Sequence, residues 1–272
     1  MVLQQILDAR AEADELDAML RSVADADYAR VTQFKGYTID DVLRHLHQGD
    51  FMAMATLKTP EAFRAILAER QARRAEGVSP RDDARLQFGH LSGDELRRRW
   101  HAAFVELCEG LAACDPDARL AWAGPDMGVR MFTTARQMEI WSHGQEIYDI
   151  LGRDRAPTDR LRNIATIGVR TFGWTFVNRG LPVPEVQPHV SLTAPSGGTW
   201  EWNDPASPDR VTGSALAFAQ VVTQVRNIAD TTLTVEGDAA RQWMAIAQCF
   251  AGPPEDPPQP GARFRVGAPG AS

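Results

Sequence analysis

The sequence contains little cysteine, and its three cysteines lack the spacing of a metal site or a redox pair. Cys108 and Cys249 lie in apolar helical runs, so we expect both to be reduced core residues. Long hydrophobic runs are also absent, since no window reaches about 18 apolar residues. The first 20 residues, MVLQQILDARAEADELDAML, carry acids where a signal peptide needs a basic start. These absences argue against a membrane protein and predict a cytoplasmic one.

An excess of positive charge is absent as well. The formal net charge is −7, whereas binding to nucleic acid or to anionic lipid needs clustered lysine and arginine. The basic runs ERQARR and LRRRW stand beside acidic residues, which is typical of a solvated helix face. What the chain does contain is 44% hydrophobic and 24% charged residues, the balance of a globular protein with a packed core. We therefore expect neither a nucleic acid nor a membrane as a partner.

Amphipathic periodicity predicts four long helices in the first part of the 272-residue chain. Thr38 and Asp41 form a start like a capping box for the second of them. Four such helices indicate a four-helix bundle, in which sites are built from inward-facing side chains. The predicted long helices cover residues 2–22, 38–57, 92–114 and 133–152, and a polar helix at 60–76 is expected outside the core.

The second part of the chain has a different pattern. A polar break with glycine and proline, GRDRAPTDR, precedes a predicted helix at 159–178. Alternating runs in VSLTAPSGGTWEW, DRVTG and TTLTVEG predict short strands, and helices are expected at 214–226 and 238–250. The order β, β, β, α, β, α indicates a small α+β domain. We place the domains at 1–155 and 156–272, with a proline-rich tail from Gly252.

The fourth predicted helix carries Glu139, His143 and Glu146 on one face, together with core residues. An acid four residues before a histidine is weak evidence alone, because Asp41 with His45 has the same spacing. A buried ion pair or a wet face of the bundle explains Glu139 and His143 without any ligand. A divalent cation is the alternative, since it would neutralise the carboxylate and use the neutral imidazole.

A metal site would need a third ligand, and the second helix offers two histidines. His45 and His47 point about 160° apart, so periodicity does not choose between them. Gly49, one turn after His45, leaves space for an ion or a substrate and favours His45. His101, beside the core residue Trp100, is the reserve candidate.

Two segments carry a family resemblance. TIDDVLRHLHQGD and AGPDMGVRMFTTARQMEIWSHGQEIYDILG resemble, in order and spacing, the metal-binding domain of mycothiol-dependent maleylpyruvate isomerases, within the DinB-like superfamily of four-helix bundles. The resemblance implies that His45, Glu139 and His143 bind a divalent metal, usually zinc. Three further segments are similar to segments of an actinobacterial subgroup whose C-terminal domain is sterol-carrier-like. They are GPDM, RVTGSALAFAQVVTQ and AQCFAGPP. The implied fold class is α+β, a DinB-like bundle followed by a sterol-carrier-like domain.

The resemblance also implies a chemistry. Three protein ligands leave a coordination position open for water or a thiolate, and a bound thiol could attack an electrophilic small-molecule substrate. A mycothiol-like, low-molecular-weight thiol is the expected cosubstrate, giving thiol transfer or isomerisation. Glu146, where the family usually has aspartate, or Asp50 would move the proton. Arg130 and Arg136 would anchor a carboxylate of the thiol, because arginine offers a planar fork.

Two other functions stay open. The sterol-carrier-like half suggests an apolar-ligand-binding module, which would bring down lipid on purification. A non-catalytic zinc protein would lose thermal stability on chelation without ever consuming a thiol. His47 stands where the family usually has a small or apolar residue. We expect an exposed histidine there, and a substrate contact or an alternative metal ligand is the other interpretation. A homodimer is compatible with the sequence, which does not determine the oligomeric state.

Overall fold

The computed structural model describes residues 2–124 and 126–267. The chain divides into two units between Ile150 and Leu151. The predicted domain boundary at residue 155 stays a prediction. The helices of the first unit are α1 (Gln4–Leu20), α2 (Ile39–Lys58), α3 (Pro60–Ala75), α4 (Pro80–Phe88), α5 (Gly93–Ala113) and α6 (Val129–Ile150). Its two strands are β1 (Arg119–Leu120) and β2 (Met127–Gly128), an antiparallel pair.

The four long helices of this unit form a bundle, because each has an apolar face that only the others can bury. α1 and α2 each pack against both α5 and α6. Leu16, Trp100, Phe104 and Phe132 are fully buried between them. The predicted helical N-terminal domain is therefore confirmed.

The first turn of α2 is held by a complete capping box. The Thr38 side chain accepts a hydrogen bond from the Asp41 backbone N–H at 3.1 Å, and the Asp41 carboxylate accepts one from the Thr38 N–H at 3.1 Å. Arg85 of α4 also donates to both oxygens of Asp41, at 2.7 and 2.6 Å. The N-terminal end of α2 is thereby tied to a neighbouring helix as well as to itself.

α3 and α4 lie beside α2 and differ from the prediction in two ways. α3 is not wholly outside the core, because Phe63 is buried and stacks on Trp122 with ring centroids 5.5 Å apart. α4 was not predicted, although Ser79 caps it and Pro80 occupies its first turn. Asp83 of α4 accepts hydrogen bonds from Arg70 of α3 (2.8 Å) and Gln48 of α2 (2.9 Å).

The second unit combines helices with one four-stranded sheet. The strand order is β4-β3-β5-β6, where β3 and β5 are parallel and both edge strands are antiparallel to their neighbours. Phe172, Phe218 and Trp243 meet in its core. This is the predicted α+β domain. Its elements are α7 (Leu161–Arg170), α8 (Phe172–Val177), β3 (His189–Thr193), β4 (Thr199–Trp202), β5 (Arg210–Ser214), α9 (Ala215–Val222), β6 (Thr234–Glu236) and α10 (Asp238–Ile246).

The helices of the second unit are shorter than predicted. The expected helix at 159–178 is two helices, because the backbone at Thr171 leaves helical geometry with φ −92° and ψ 10°. α9 ends at Val222, before the left-handed residue Gln224 (φ 57°), and not at residue 226. Within residues 2–124 and 126–267, no helix is both long enough and apolar enough to cross a membrane.

Candidate metal centre

The candidate site lies where α2 and α6 face each other in the bundle. One carboxylate oxygen of Glu139, Oε2, lies 3.3 Å from His45 Nε2 and 3.4 Å from His143 Nε2. The two imidazole rings are 4.5 Å apart between centroids. One donor atom from each of the three residues lies within 4.8 Å of the other two. Two helices thus bring two imidazoles and a carboxylate to one point.

The local sequence explains half of this arrangement. Glu139 and His143 are four residues apart in α6, so they lie one above the other on the same face of the helix. His45 comes from the second turn of α2, whose start is set by the capping box. The three residues meet as the sequence and the resemblance led us to expect, and their role as metal ligands stays a prediction.

The electrostatics of the cluster suit a cation. Burial raises the pKa of Glu139, but hydrogen bonds with His143 and His45 outweigh this and hold the pKa well below its usual range. The carboxylate is therefore ionised at neutral pH, as a metal ligand must be. The side chains of His45, Glu139 and His143 are 34%, 22% and 12% exposed. The cluster is held by the bundle but is still reachable by a small molecule.

Phe34 contacts the cluster and is not among the predicted site residues. Its ring meets His143 edge-on, with centroids 4.8 Å apart at 71°. The loop that carries it turns through two left-handed residues, Lys35 (φ 50°) and Gly36 (φ 70°), and the Thr32 hydroxyl accepts a hydrogen bond from the Phe34 N–H at 3.2 Å. The Lys-Gly pair indicates a turn, but nothing in the sequence shows that this turn faces His143.

The other two candidate histidines lie elsewhere. His47 packs on Phe88 of α4, with ring centroids 4.5 Å apart, and its Nδ1 is buried without a hydrogen bond. The expectation that His47 is exposed is therefore wrong. Burial, with smaller contributions from Arg99 and His90, lowers the pKa of His47 to about 4. His101 Nε2 lies 2.6 Å from an Asp14 carboxylate oxygen, between α5 and α1.

Asp50 and Arg136 bind each other inside the bundle. Arg136 donates from Nε and from one terminal nitrogen to Asp50 Oδ1, at 3.0 and 2.7 Å, and both side chains are buried. Burial raises the pKa of Asp50, while the Arg136 guanidinium opposes that rise. Each side chain is thus the other's buried partner, and the predicted roles of Arg136 as an anchor and of Asp50 in proton transfer stay predictions.

Gly49 is also explained by this pair. A Cβ atom added at Gly49 would lie 2.7, 2.9 and 3.0 Å from three atoms of the Arg136 guanidinium. The space beside Gly49 is thus filled by Arg136, and not by an ion or a substrate as the sequence suggested. His45 therefore reaches Glu139 although the space beside Gly49 is occupied.

The two remaining predicted site residues, Glu146 and Arg130, differ in their exposure to solvent. Glu146, on α6 three residues after His143, is buried. Arg130, at the start of α6, is exposed and lies 3.5 Å from the Gln5 side-chain oxygen. Their catalytic and anchoring roles stay predictions.

None of the three cysteines forms a disulfide or belongs to this cluster. Cys108 and Cys249 are buried, as expected, and Cys114 is half-buried. Burial raises the pKa of Cys108 to about 12 and also raises the pKa of Cys114. Cys108 and Cys114 therefore lack the low pKa that a nucleophilic cysteine needs.

Comparison with known proteins gives matches of three kinds. A family model described as the mycothiol maleylpyruvate isomerase N-terminal domain matches residues 9–148. The chain is 37% identical over 249 residues to Uncharacterized protein Rv0036c of Mycobacterium tuberculosis (strain ATCC 25618 / H37Rv), covering 92% of this chain and 96% of that one. Uncharacterized protein MT0041 of Mycobacterium tuberculosis (strain CDC 1551 / Oshkosh) matches with the same identity and the same coverage.

Two solved structures share the fold. The crystal structure of a mycothiol-dependent maleylpyruvate isomerase aligns with a TM-score of 0.54 at 14% identity, over 85% of this chain and 91% of that one. A histidine-to-alanine mutant of a mycothiol-dependent maleylpyruvate isomerase aligns with a TM-score of 0.51 at 16% identity, over 80% and 87%.

Proposed function

Because the chain belongs to the mycothiol maleylpyruvate isomerase N-terminal domain family, we propose that it is a metal-dependent enzyme that activates a low-molecular-weight thiol. In this proposal His45, Glu139 and His143 hold one divalent cation. The thiol is mycothiol or a close analogue, and it reacts with a small electrophilic substrate. Zn²⁺ is the ion that two imidazoles and one carboxylate suit best.

The observation that carries the proposal is the geometry of the three donor groups. In a tetrahedral zinc site with bonds of about 2.0–2.2 Å, neighbouring donor atoms are about 3.3–3.5 Å apart. The oxygen–nitrogen separations at Glu139 are 3.3 and 3.4 Å, longer than most hydrogen bonds between such groups. The two separations at Glu139 therefore fit a zinc ion, and three protein ligands are the number typical of a catalytic site.

The chemistry follows from this donor set. When bound, a dication of this kind lowers the pKa of a coordinated thiol or water, so a nucleophile exists near neutral pH. The chain itself supplies an ionised Glu139 and a partly exposed face at His45 through which a small molecule can enter. Its own cysteines are buried or half-buried, and the raised pKa values of Cys108 and Cys114 leave little thiolate at neutral pH, so these thiols compete poorly with an added thiol.

Two outcomes of thiol attack are distinguishable. In isomerisation a sulfur–carbon bond forms and later breaks, so the thiol is regenerated and only the geometry of the substrate changes. In transfer the sulfur–carbon bond remains, so thiol is consumed with product. The family favours isomerisation, and an assay that follows both maleylpyruvate and free mycothiol separates the two.

The metal assignment is tested by one substitution and a matched control. We expect the wild-type protein to bind metal stoichiometrically and His143→Ala to lose it, because two ligands on a flexible pair of side chains bind zinc poorly. His101→Ala, in the same bundle but outside the cluster, should keep the metal. Elemental analysis of the three purified proteins checks this, and stoichiometric metal in His143→Ala would reject the ligand set.

The role of Glu146 is tested separately. If Glu146 moves the substrate proton, Glu146→Gln should retain metal and lower kcat by about 10²–10⁴-fold, the usual contribution of general acid–base catalysis. The measurement is steady-state turnover of maleylpyruvate with saturating mycothiol, alongside metal content. Unchanged kinetics would remove Glu146 from the mechanism. A metal-loaded protein that converts no substrate with any thiol would instead be a non-catalytic zinc protein.

A further inference from the structure

The buried pair formed by Asp50 and Arg136 lies one helical turn from the candidate metal ligands on both helices. On α2, Asp50 follows His45 by five residues, and on α6, Arg136 precedes Glu139 by three. Arg136 also approaches the backbone oxygen of Leu46, the residue after His45, at 3.5 Å. The guanidinium therefore bridges α6 to the turn of α2 that begins at the metal site.

The Asp50 carboxylate is held from a third helix as well. Trp100 of α5 donates its indole N–H to Asp50 Oδ2 at 3.2 Å, while Arg136 occupies Oδ1. Asp50 is fully buried and Arg136 is 5% exposed. Separating them would leave two charges unpaired in the core, so the pair strongly resists any change in the distance between α2 and α6.

The distance between α2 and α6 matters for one ligand in particular. Glu139 and His143 share α6, so their relative position is set within one helix. His45 reaches them only if α2 stays at the correct distance and rotation. A displacement of about 1 Å is enough to degrade a site built from several elements.

We propose that Asp50, Arg136 and Gly49 form a positioning clamp that sets the spacing of α2 and α6 at the metal centre. Gly49 belongs to the clamp because its missing side chain makes room for the guanidinium. These residues touch neither the metal nor the substrate and act through His45. The inference rests on the proposed function, since it concerns the metal site of that proposal.

The clamp is tested by Gly49→Ala. Alanine normally stabilises a helix relative to glycine, but here its Cβ would lie 2.7–3.0 Å from the guanidinium. We expect the variant to bind Zn²⁺ at least about tenfold more weakly, as is usual when groups that support metal ligands are disturbed. We also expect a changed visible absorption spectrum of the Co²⁺-substituted protein, which reports ligand geometry and not stability.

Arg136→Lys supplies the second half of the test. Lysine keeps the positive charge but removes the planar fork and the atoms that a Cβ at residue 49 would meet. We expect Arg136→Lys alone to weaken Zn²⁺ binding, and Gly49→Ala to cost little further affinity when combined with it. Such non-additivity in a double-mutant cycle is the signature of direct coupling.

A matched control separates positioning from general stability. Arg97 and Asp17 form another buried ion pair, which joins α5 to α1 and contacts neither α2 nor α6 in that pairing. Arg97→Lys should lower the melting temperature without altering Zn²⁺ affinity or the Co²⁺ spectrum. Gly49→Ala with wild-type affinity and spectrum would overturn the clamp, as would additive effects in the cycle.

Two other experimental outcomes also decide whether the clamp exists. If Gly49→Ala does not fold, unchanged affinity and spectrum in Arg136→Lys alone would still overturn the clamp, and weakened affinity would support it. If the wild-type protein binds neither Zn²⁺ nor Co²⁺, the proposed function fails, and the clamp fails with it. This result differs from failure of the clamp alone, in which the wild type binds metal and the variants bind it equally well.

Discussion

His45 and His47 are two residues apart on α2, yet their surroundings are opposite. His45 lies 3.3 Å from a carboxylate oxygen, whereas the buried Nδ1 of His47 has no hydrogen bond and its ring packs on Phe88. Burial in this apolar contact disfavours the imidazolium ion and lowers the pKa of His47 to about 4. His47 is thus a half-buried titratable residue whose ring packs on an aromatic side chain.

A pH dependence of stability follows from His47. The unfolded chain takes up this proton near pH 6.5 and the folded chain only near pH 4, so stability is lost as the pH falls through this interval. After allowance for partial exposure, we expect about 1 kcal/mol to be lost through His47 between pH 7 and pH 5. Urea unfolding of the metal-free protein at both pH values measures it.

His47→Leu is the comparison for that measurement. The variant cannot titrate at this position, so its stability should fall by about 1 kcal/mol less than that of the wild type between pH 7 and pH 5. Equal losses in both proteins would show that His47 is protonated as easily in the folded state as in the unfolded one.

The relative positions of residues on one helix could be predicted from the sequence, whereas contacts between residues of different helices could not. The spacing of four places Glu139 beside His143 whatever the rest of the fold does. Asp50 and Arg136 are 86 positions apart, and their pairing depends on the distance and rotation of two packed helices. The sequence therefore suggested an anchoring role for Arg136 and a proton-transfer role for Asp50, and it did not show that the two side chains pair with each other.

Among the helices, the start of α2 has the clearest energetic signature. Thr38→Ala removes the hydroxyl that accepts from the Asp41 N–H, and we expect a loss of about 1 kcal/mol in the free energy of unfolding. Ser92 precedes α5 in the same way, but its exposed side chain makes no capping hydrogen bond. Ser92→Ala should therefore change stability by less than about 0.5 kcal/mol. Equal effects in urea unfolding would contradict the capping assignment.

The helices that were predicted are those whose periodicity is long. α1, α2, α5 and α6 each span several turns with one apolar face, and the observed ends lie within a few residues of the predictions. α4 has nine residues and few apolar positions, so its capping signal at Ser79 and Pro80 had no periodic stretch to support it. The break at Thr171 was hidden because the apolar pattern continues across it.

For the molecule as a whole, a bound metal ion should raise the melting temperature. Metal that binds only the folded state stabilises by about 4 kcal/mol when its concentration is 1,000 times Kd. We expect a chelator to lower the melting temperature of the wild type, and added Zn²⁺ to restore it. His143→Ala should start near the lower value and show no shift with chelator. A wild type that is insensitive to chelation would contradict a metal-supported bundle.

The order of the two parts of the chain could be predicted because helical and strand periodicity occupy different halves. The α+β class and the helical first unit are confirmed by the structure and by the shared fold of the maleylpyruvate isomerase structures. The reaction itself depends on substrate contacts, and neither periodicity nor composition encodes those.

The placement of the cysteines has a consequence for how the protein would behave under oxidative stress. Two thiols are buried in the core, and the half-buried Cys114 has a raised pKa, so little thiolate is available at neutral pH. Disulfides of small thiols would therefore form mixed disulfides with this chain only slowly. A protein that works with a diffusible thiol would then remain unmodified while the pool around it is oxidised, and would resume turnover as soon as that pool is reduced.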